Sequence, residues 1–202
     1  MISFSAIKSG EAAAGYYSKE QAAAEYYSGE ATPSAWRGKA AATLGLRGQV
    51  NQNDLIQTLD GRVVDATGPR QLGRIGTDGE REHRAGYDLT ISAPKSVSIE
   101  ALVHGRDGAA NAHRIAVAAA LDYLQSHAAQ ARIGGKTIRT GNLAIAIFEH
   151  VSSRAKDPQL HIHALIANLT LDPTTGRAYS LSNERILALR RAADAVYHLR
   201  QR

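Results

Sequence analysis

The 202-residue chain has no cysteine. That excludes a disulfide-stapled scaffold and any metal site built on thiolates. It also lacks a run of eighteen apolar residues, and no short apolar stretch follows a basic start, so neither a membrane span nor a secretory leader is expected. These absences lead to the expectation of a soluble, cytoplasmic protein without membrane insertion. Aromatic residues make up only 5% of the chain, yet eight of them are tyrosine, four within the first 27 residues. So uneven a distribution asks for a use of tyrosine beyond filling a core.

With 44% hydrophobic residues the chain can bury one real core, so a single compact domain over residues 1–202 is expected. The formal charge of +5 and a pI near 9.6 favour a polyanionic partner, although basic domains without nucleic-acid partners are common. The basic residues are mostly arginine, whose planar fork suits phosphate.

Met1–Ile7 alternates apolar and polar residues and reads as a strand. Ser9 can cap a helix over Glu11–Tyr17, continuing towards Tyr27, and Gly29–Pro33 breaks it. Short helices are expected at Gly38–Leu44 and Asn53–Leu59. Residues 60–84, punctuated by glycine, read as a flexible loop. Gly86–Ser92 is a strand, and Pro94 starts a helix towards Leu102. A long helix spans Asp107–Gln130, with Val117, Leu121, Leu124 and Ala128 on one face and Gly134-Gly135 as its stop. Strands are expected at Lys136–Thr140, Leu143–His150 and His161–Asn168, then a turn at Asp172–Gly176 and a final helix capped by Asn183. The sum is an α/β (α+β) fold, a central antiparallel sheet with flanking helices.

The chemistry gathers in the last large hairpin. Residues 148–163 carry His150, His161 and His163. On a strand, His161 and His163 leave the same face while Ile162 points into the other. His150 closes the preceding strand, and directly opposed residues of an antiparallel pair have Cβ atoms about 4.5–5.5 Å apart. Three imidazoles can therefore converge, with coordination positions left over, as a catalytic metal requires. A lone strand histidine is more often an ordinary hydrogen-bonded residue, and His83, His104, His113, His127 and His198 are read that way.

Tyr16-Tyr17 and Tyr26-Tyr27 form two adjacent pairs. Neighbours on a helix point about 100° apart, so both members of a pair cannot share a buried face. Spacing alone does not choose between them. A tyrosine can act as a nucleophile, but with a reference pKa near 10 about one in a thousand is ionised at neutral pH, so it needs a base or a metal-bound phosphate.

These residues resemble the conjugative relaxases of the MobF class, within the HUH endonuclease superfamily. The resemblance rests on the two tyrosine pairs, on Asp88-Leu-Thr-Ile-Ser-Ala-Pro-Lys-Ser-Val-Ser98, and on His150 with Gln159-Leu-His-Ile-His163; Trp36-Arg-Gly-Lys39 and Thr140-Gly-Asn-Leu143 also fit. It implies a palm-like relaxase domain that nicks single-stranded DNA at a plasmid transfer origin, beside a hairpin, with conjugation accessory proteins as further partners. His150, His161 and His163 match the metal triad, Tyr16 the nucleophile of the first cut and Tyr26 the tyrosine of a later transfer. Asp88 matches the acidic residue near them, as a base or as a partner that fixes a histidine tautomer. Family domains continue into a finger-like segment, and the chain is expected to be truncated before it. Imidazole ligands alone suit zinc, whereas the family's phosphate chemistry implies magnesium or manganese. Arg154 and Lys156 in the hairpin loop, and more weakly Lys95, are expected to contact DNA. The competing readings are a replication-initiator or transposase-type nuclease of the same superfamily, a three-histidine metallohydrolase, and a non-catalytic DNA-binding module.

Overall fold

The computed structural model describes residues 2–17, 19, 33–153 and 155–201. Its centre is a five-stranded antiparallel sheet, β1 (Ile2–Ile7), β2 (Ser34–Arg37), β7 (Gly86–Ser92), β10 (Ile145–Ser152) and β11 (Pro158–Ala167), in the order β1-β7-β11-β10-β2. Residues 10–17 form helix α1, followed after β2 by α2 (Lys39–Thr43) and α3 (Gln52–Leu59). Two small hairpins come next, β3 (Arg62–Asp65) with β4 (Gly68–Gln71) and β5 (Arg74–Ile75) with β6 (Arg81–Glu82). Helices α4 (Lys95–Leu102) and α5 (Asp107–Ala128) separate β7 from a third hairpin, β8 (Gln130–Ile133) with β9 (Lys136–Arg139). Beyond β11 lie β12 (Thr170–Leu171), β13 (Ala178–Tyr179) and α6 (Glu184–Arg200).

Period-two alternation gives the sheet two different faces. On one, Leu89 and Ile91 of β7, Ile162, Ala164 and Ile166 of β11 and Ile145 of β10 pack against Val117, Leu121 and Leu124 of α5 and Ile186 and Ala193 of α6. Each such leucine or isoleucine contributes roughly 1.5–3 kcal/mol relative to leaving it in water. On the other face, Ala146, Phe148, Leu165 and Ala167 are covered by Ala13, Ala14 and Tyr17 of α1, Ala40 and Ala41 of α2, and Leu55 and Leu59 of α3. That cover is apolar only over part of the face, and the histidines occupy the part beside it.

Several expectations need correction. Residues 60–84 are not a flexible loop. Asp65, whose side chain is fully buried, accepts hydrogen bonds from Thr67 N, Thr67 Oγ1, Arg70 Nε and, across 113 residues, Ala178 N. Burial alone would raise its pKa, but those hydrogen bonds hold the carboxyl well below the usual range. The long helix stops at Ala128, and Gly134-Gly135 instead makes the two-residue turn between Ile133 and Lys136, both glycines at positive φ as a type I′ hairpin needs. Pro94 caps α4 rather than opening it. Asn183 precedes α6, but its side chain makes no cap; it donates to Tyr87 Oη instead. Ser9 does cap α1, accepting from Ala12 N at 3.1 Å. The Trp36-Arg-Gly-Lys39 stretch becomes edge strand β2 and a tight turn. Gly38 sits at φ 99°, where a Cβ would lie 2.2 Å from the Leu143 carbonyl oxygen.

His113, read as ordinary, is fully buried between α5 and α6, with Nδ1 2.8 Å from Tyr197 Oη. Burial pushes its pKa down to about 4, against the opposite pull of Glu149. Between that value and the unfolded pKa near 6.5 the unfolded chain binds the extra proton, so stability is full above pH 6.5 and is lost as pH falls towards 4. The loss attributable to this group reaches roughly 3 kcal/mol. Thermal melts from pH 7 to 4.5 should therefore fall more steeply for the wild type than for His113→Gln; parallel curves would refute the assignment.

Candidate metal centre and tyrosine helix

Register assembles the site. His150 lies directly opposite His161, and His161 opposite Ser92 of β7. One step along the same face, His163 stands between Phe148 of β10 and Thr90 of β7. Asp88, Thr90 and Ser92 are the polar half of the β7 alternation, whose other half, Tyr87, Leu89 and Ile91, is core. The three histidines are half-buried, and their ligand nitrogens lie within 4.8 Å of one another. The ring centroids are 5.0–5.2 Å apart, and no two rings are stacked parallel.

Neighbouring acceptors set the tautomers. His163 Nδ1 is 2.8 Å from Asp88 Oδ2, with Thr90 Oγ1 at 3.3 Å, and His161 Nδ1 is 3.0 Å from the Gln159 carbonyl oxygen. A carbonyl and a carboxylate can only accept, so both Nδ1 atoms carry the proton and Nε2 is left as the basic nitrogen. Three imidazoles, two of them oriented by oxygen partners, form a donor set that fits a divalent cation.

Helix α1 brings the tyrosines. Tyr17 is the one folded into the site. It is 5% exposed, its ring stacks on Phe148 at 4.4 Å, and its edge meets His163 at 5.4 Å between centroids. Its hydroxyl donates to Asp88 Oδ2 at 3.1 Å, the oxygen that also holds His163. Tyr16 is 43% exposed, with its ring edge against Tyr17 at 5.0 Å. The sequence could not separate the two, because helix phase alone distinguishes neighbours. Asp88 Oδ1 is buried with no hydrogen-bond partner among the described residues.

The remaining candidates scatter. Lys156 lies in the 153–157 hairpin loop at φ 61°, its backbone N donating to Ser153 O. Lys95 Nζ donates to the Pro158 carbonyl at 3.0 Å. Arg154 and Tyr26 lie outside the described residues. Sequence reasoning missed Arg114 of α5, which grips Glu149 through Nε and a terminal nitrogen, each at 2.7 Å, behind His150 on β10. Its only signal was an arginine and a glutamate on different elements, which spacing cannot pair. No helix among the described residues is long and apolar enough to cross a membrane.

An antiparallel sheet that brings three histidines together on one face, beside a helix carrying Tyr16 and Tyr17, matches the sheet and the histidine cluster expected from the sequence. Residues 10–201 match the family model of the TrwC relaxase, and the chain belongs to that family. The resemblance to conjugative relaxases is thereby borne out. The multifunctional conjugation protein TraI of Escherichia coli is 37% identical over 214 residues, an alignment covering 100% of this chain and 12% of TraI. The chain thus spans 12% of that relative's length. The structure of TrwC complexed with a 27-mer DNA comprising the recognition hairpin and the cleavage site superposes with a TM-score of 0.81 at 37% identity, covering 100% of this chain and 67% of that one. The metal-bound structure of the conjugative relaxase TrwC in complex with oriT DNA gives 0.84 at 40% identity, covering 100% and 68%.

Proposed function

We propose that this chain, as one domain over residues 1–202, nicks one DNA strand at a plasmid transfer origin and retains it through a 5′-phosphotyrosine bond. The observation that carries the proposal is the meeting of three imidazoles and a tyrosine-bearing helix on one sheet face. The DNA-bound TrwC relatives support single-stranded DNA beside a hairpin as the substrate. Conjugation accessory proteins are the further partners, and the cytoplasm, where plasmid DNA resides, is the place of action.

A divalent cation held by His150, His161 and His163, magnesium or manganese with zinc as the alternative, would supply charge neutralisation and orientation at a scissile phosphate oxygen. The tyrosine that attacks is Tyr16, because its exposure lets a DNA strand reach it. Its phenolic oxygen bonds to phosphorus, the bond from phosphorus to the 3′-oxygen breaks, and the departing oxygen takes up a proton. Asp88 orients His163 through Oδ2, and Oδ1, which has no hydrogen-bond partner among the described residues, is left to accept the phenolic proton. Tyr17 ties the helix to that carboxylate. Because one phosphodiester replaces another, the step reverses without ATP. Tyr26 serves a later transfer, and Arg154, Lys156 and the remaining donors of Lys95 hold phosphates.

Incubation with single-stranded oligonucleotides from transfer origins plus manganese should yield an adduct that survives denaturing electrophoresis. Cleavage without any adduct would favour a metal-hydroxide hydrolase. Binding without cleavage would favour a DNA-binding module.

A further inference from the structure

In the Ser92-Ala-Pro-Lys-Ser-Val-Ser98 stretch only Lys95 has a part in the chemistry above, yet the whole stretch is knitted into the site. Strand β7 ends at Ser92, opposite His161, while β11 begins three residues earlier, at Pro158. The backbone of residues 158–160 therefore runs beyond the strand that would pair with it, and its polar groups need other partners. They find them in the turn and first helical turn that follow β7. Ala93 N donates to the Leu160 carbonyl at 2.9 Å, and Leu160 N donates to Ser98 Oγ at 3.1 Å. Lys95 Nζ donates to the Pro158 carbonyl at 3.0 Å. Ser98 is fully buried, and Leu160 is 1% exposed. Helix α4 packs on β11 and α5, so this short segment has a fixed support.

Between the two held residues lies Gln159, whose carbonyl accepts the Nδ1 proton of His161. We infer that α4 is a clamp for the metal ligand His161: Lys95 and Ser98 hold Pro158 and Leu160, and thereby the Gln159 carbonyl that sets the ring's tautomer and direction. Both are positioning residues, acting on the metal through the peptide and the imidazole. The inference rests on the metal-centre reading above and adds to it a support that none of the three ligands provides. It also gives Lys95 a task independent of DNA.

The test uses DNA-free protein. Histidine-detected ¹H–¹⁵N correlation spectra of the metal-free wild type should show His161 as the Nδ1–H tautomer, and manganese affinity should be measurable by electron paramagnetic resonance. Partners of metal-bound histidines are commonly worth 10–100-fold in affinity, so Ser98→Ala should weaken manganese binding by about tenfold or more and mix the His161 tautomers. Lys95→Met alters an exposed residue, so it folds even if Ser98→Ala does not, and should act in the same direction by about threefold or more. Asn142→Ala removes a buried amide that bonds Thr140 and Leu171, away from the histidines; it should lower the melting temperature and leave manganese affinity unchanged. Wild-type binding with both clamp variants unchanged, or a wild-type His161 in the Nε2–H tautomer, would overturn the clamp. A wild type that binds no manganese would overturn the metal-centre reading itself, and the clamp's purpose with it.

Discussion

Replacing His163 with alanine should leave a folded protein that has lost the proposed ability to join itself to DNA. The side chain stands on a strand paired on both sides, and the backbone hydrogen bonds to β7 and β10 do not depend on it. What goes is one of three imidazoles and the partner that shares Asp88 Oδ2 with Tyr17. A metal centre that stabilises phosphoryl charge contributes several kcal/mol to the transition state, so adduct formation should fall by roughly a thousandfold or more. His150→Ala and His161→Ala should do the same. The measurement is adduct yield on denaturing gels across a manganese titration, with circular dichroism to check the fold. Wild-type yield from any of the three variants at limiting metal would remove the metal from the mechanism.

The tyrosines give the second large effect. Tyr16→Phe deletes the proposed nucleophile and should lower adduct formation by at least about a thousandfold while leaving DNA affinity and its salt dependence unchanged, since phosphate contacts stay intact. Tyr17→Phe keeps the stack on Phe148 and loses the hydrogen bond to Asp88. A hydrogen bond to a charged group contributes roughly 1.5–3 kcal/mol, so this variant should still form adduct, about tenfold or more slowly. Peptide mapping of the DNA-linked fragment by mass spectrometry should find the nucleotide on Tyr16. Finding it on Tyr17 would make the buried tyrosine the nucleophile and Asp88 its direct base, and would leave the relaxase reading in place.

The central sheet and the histidine cluster were legible because both are written in period two. The alternation of β7 and the His-Ile-His of β11 each assign faces without any knowledge of the neighbours. The inner face of α5 was equally legible from its helical spacing. Edge strand β2 was not. Its four residues carry no alternation, and only pairing with β10 makes them a strand. The hairpins of residues 60–84 escaped for a related reason: their anchor, Asp65, takes one of its hydrogen bonds from Ala178, a residue no local window contains. Gly134-Gly135 was read as a helix stop because paired glycines end helices and turn hairpins with equal ease. The placing of Tyr17 over Tyr16 was hidden most completely, since it depends on where Phe148 and Asp88 lie in the folded sheet.

The alternation along β11 has a consequence for mutation and inheritance. Leu160 and Ile162 enter the core on the strand whose other side carries His161 and His163. A slip of one residue would exchange the two sets, placing imidazoles among buried leucines and leucines where a cation belongs. Such a protein would be unstable as well as inert. A one-residue slide of this strand is therefore closed to natural variation: it fails by instability first, and selection for a stable core keeps the histidines on their face without having to see them.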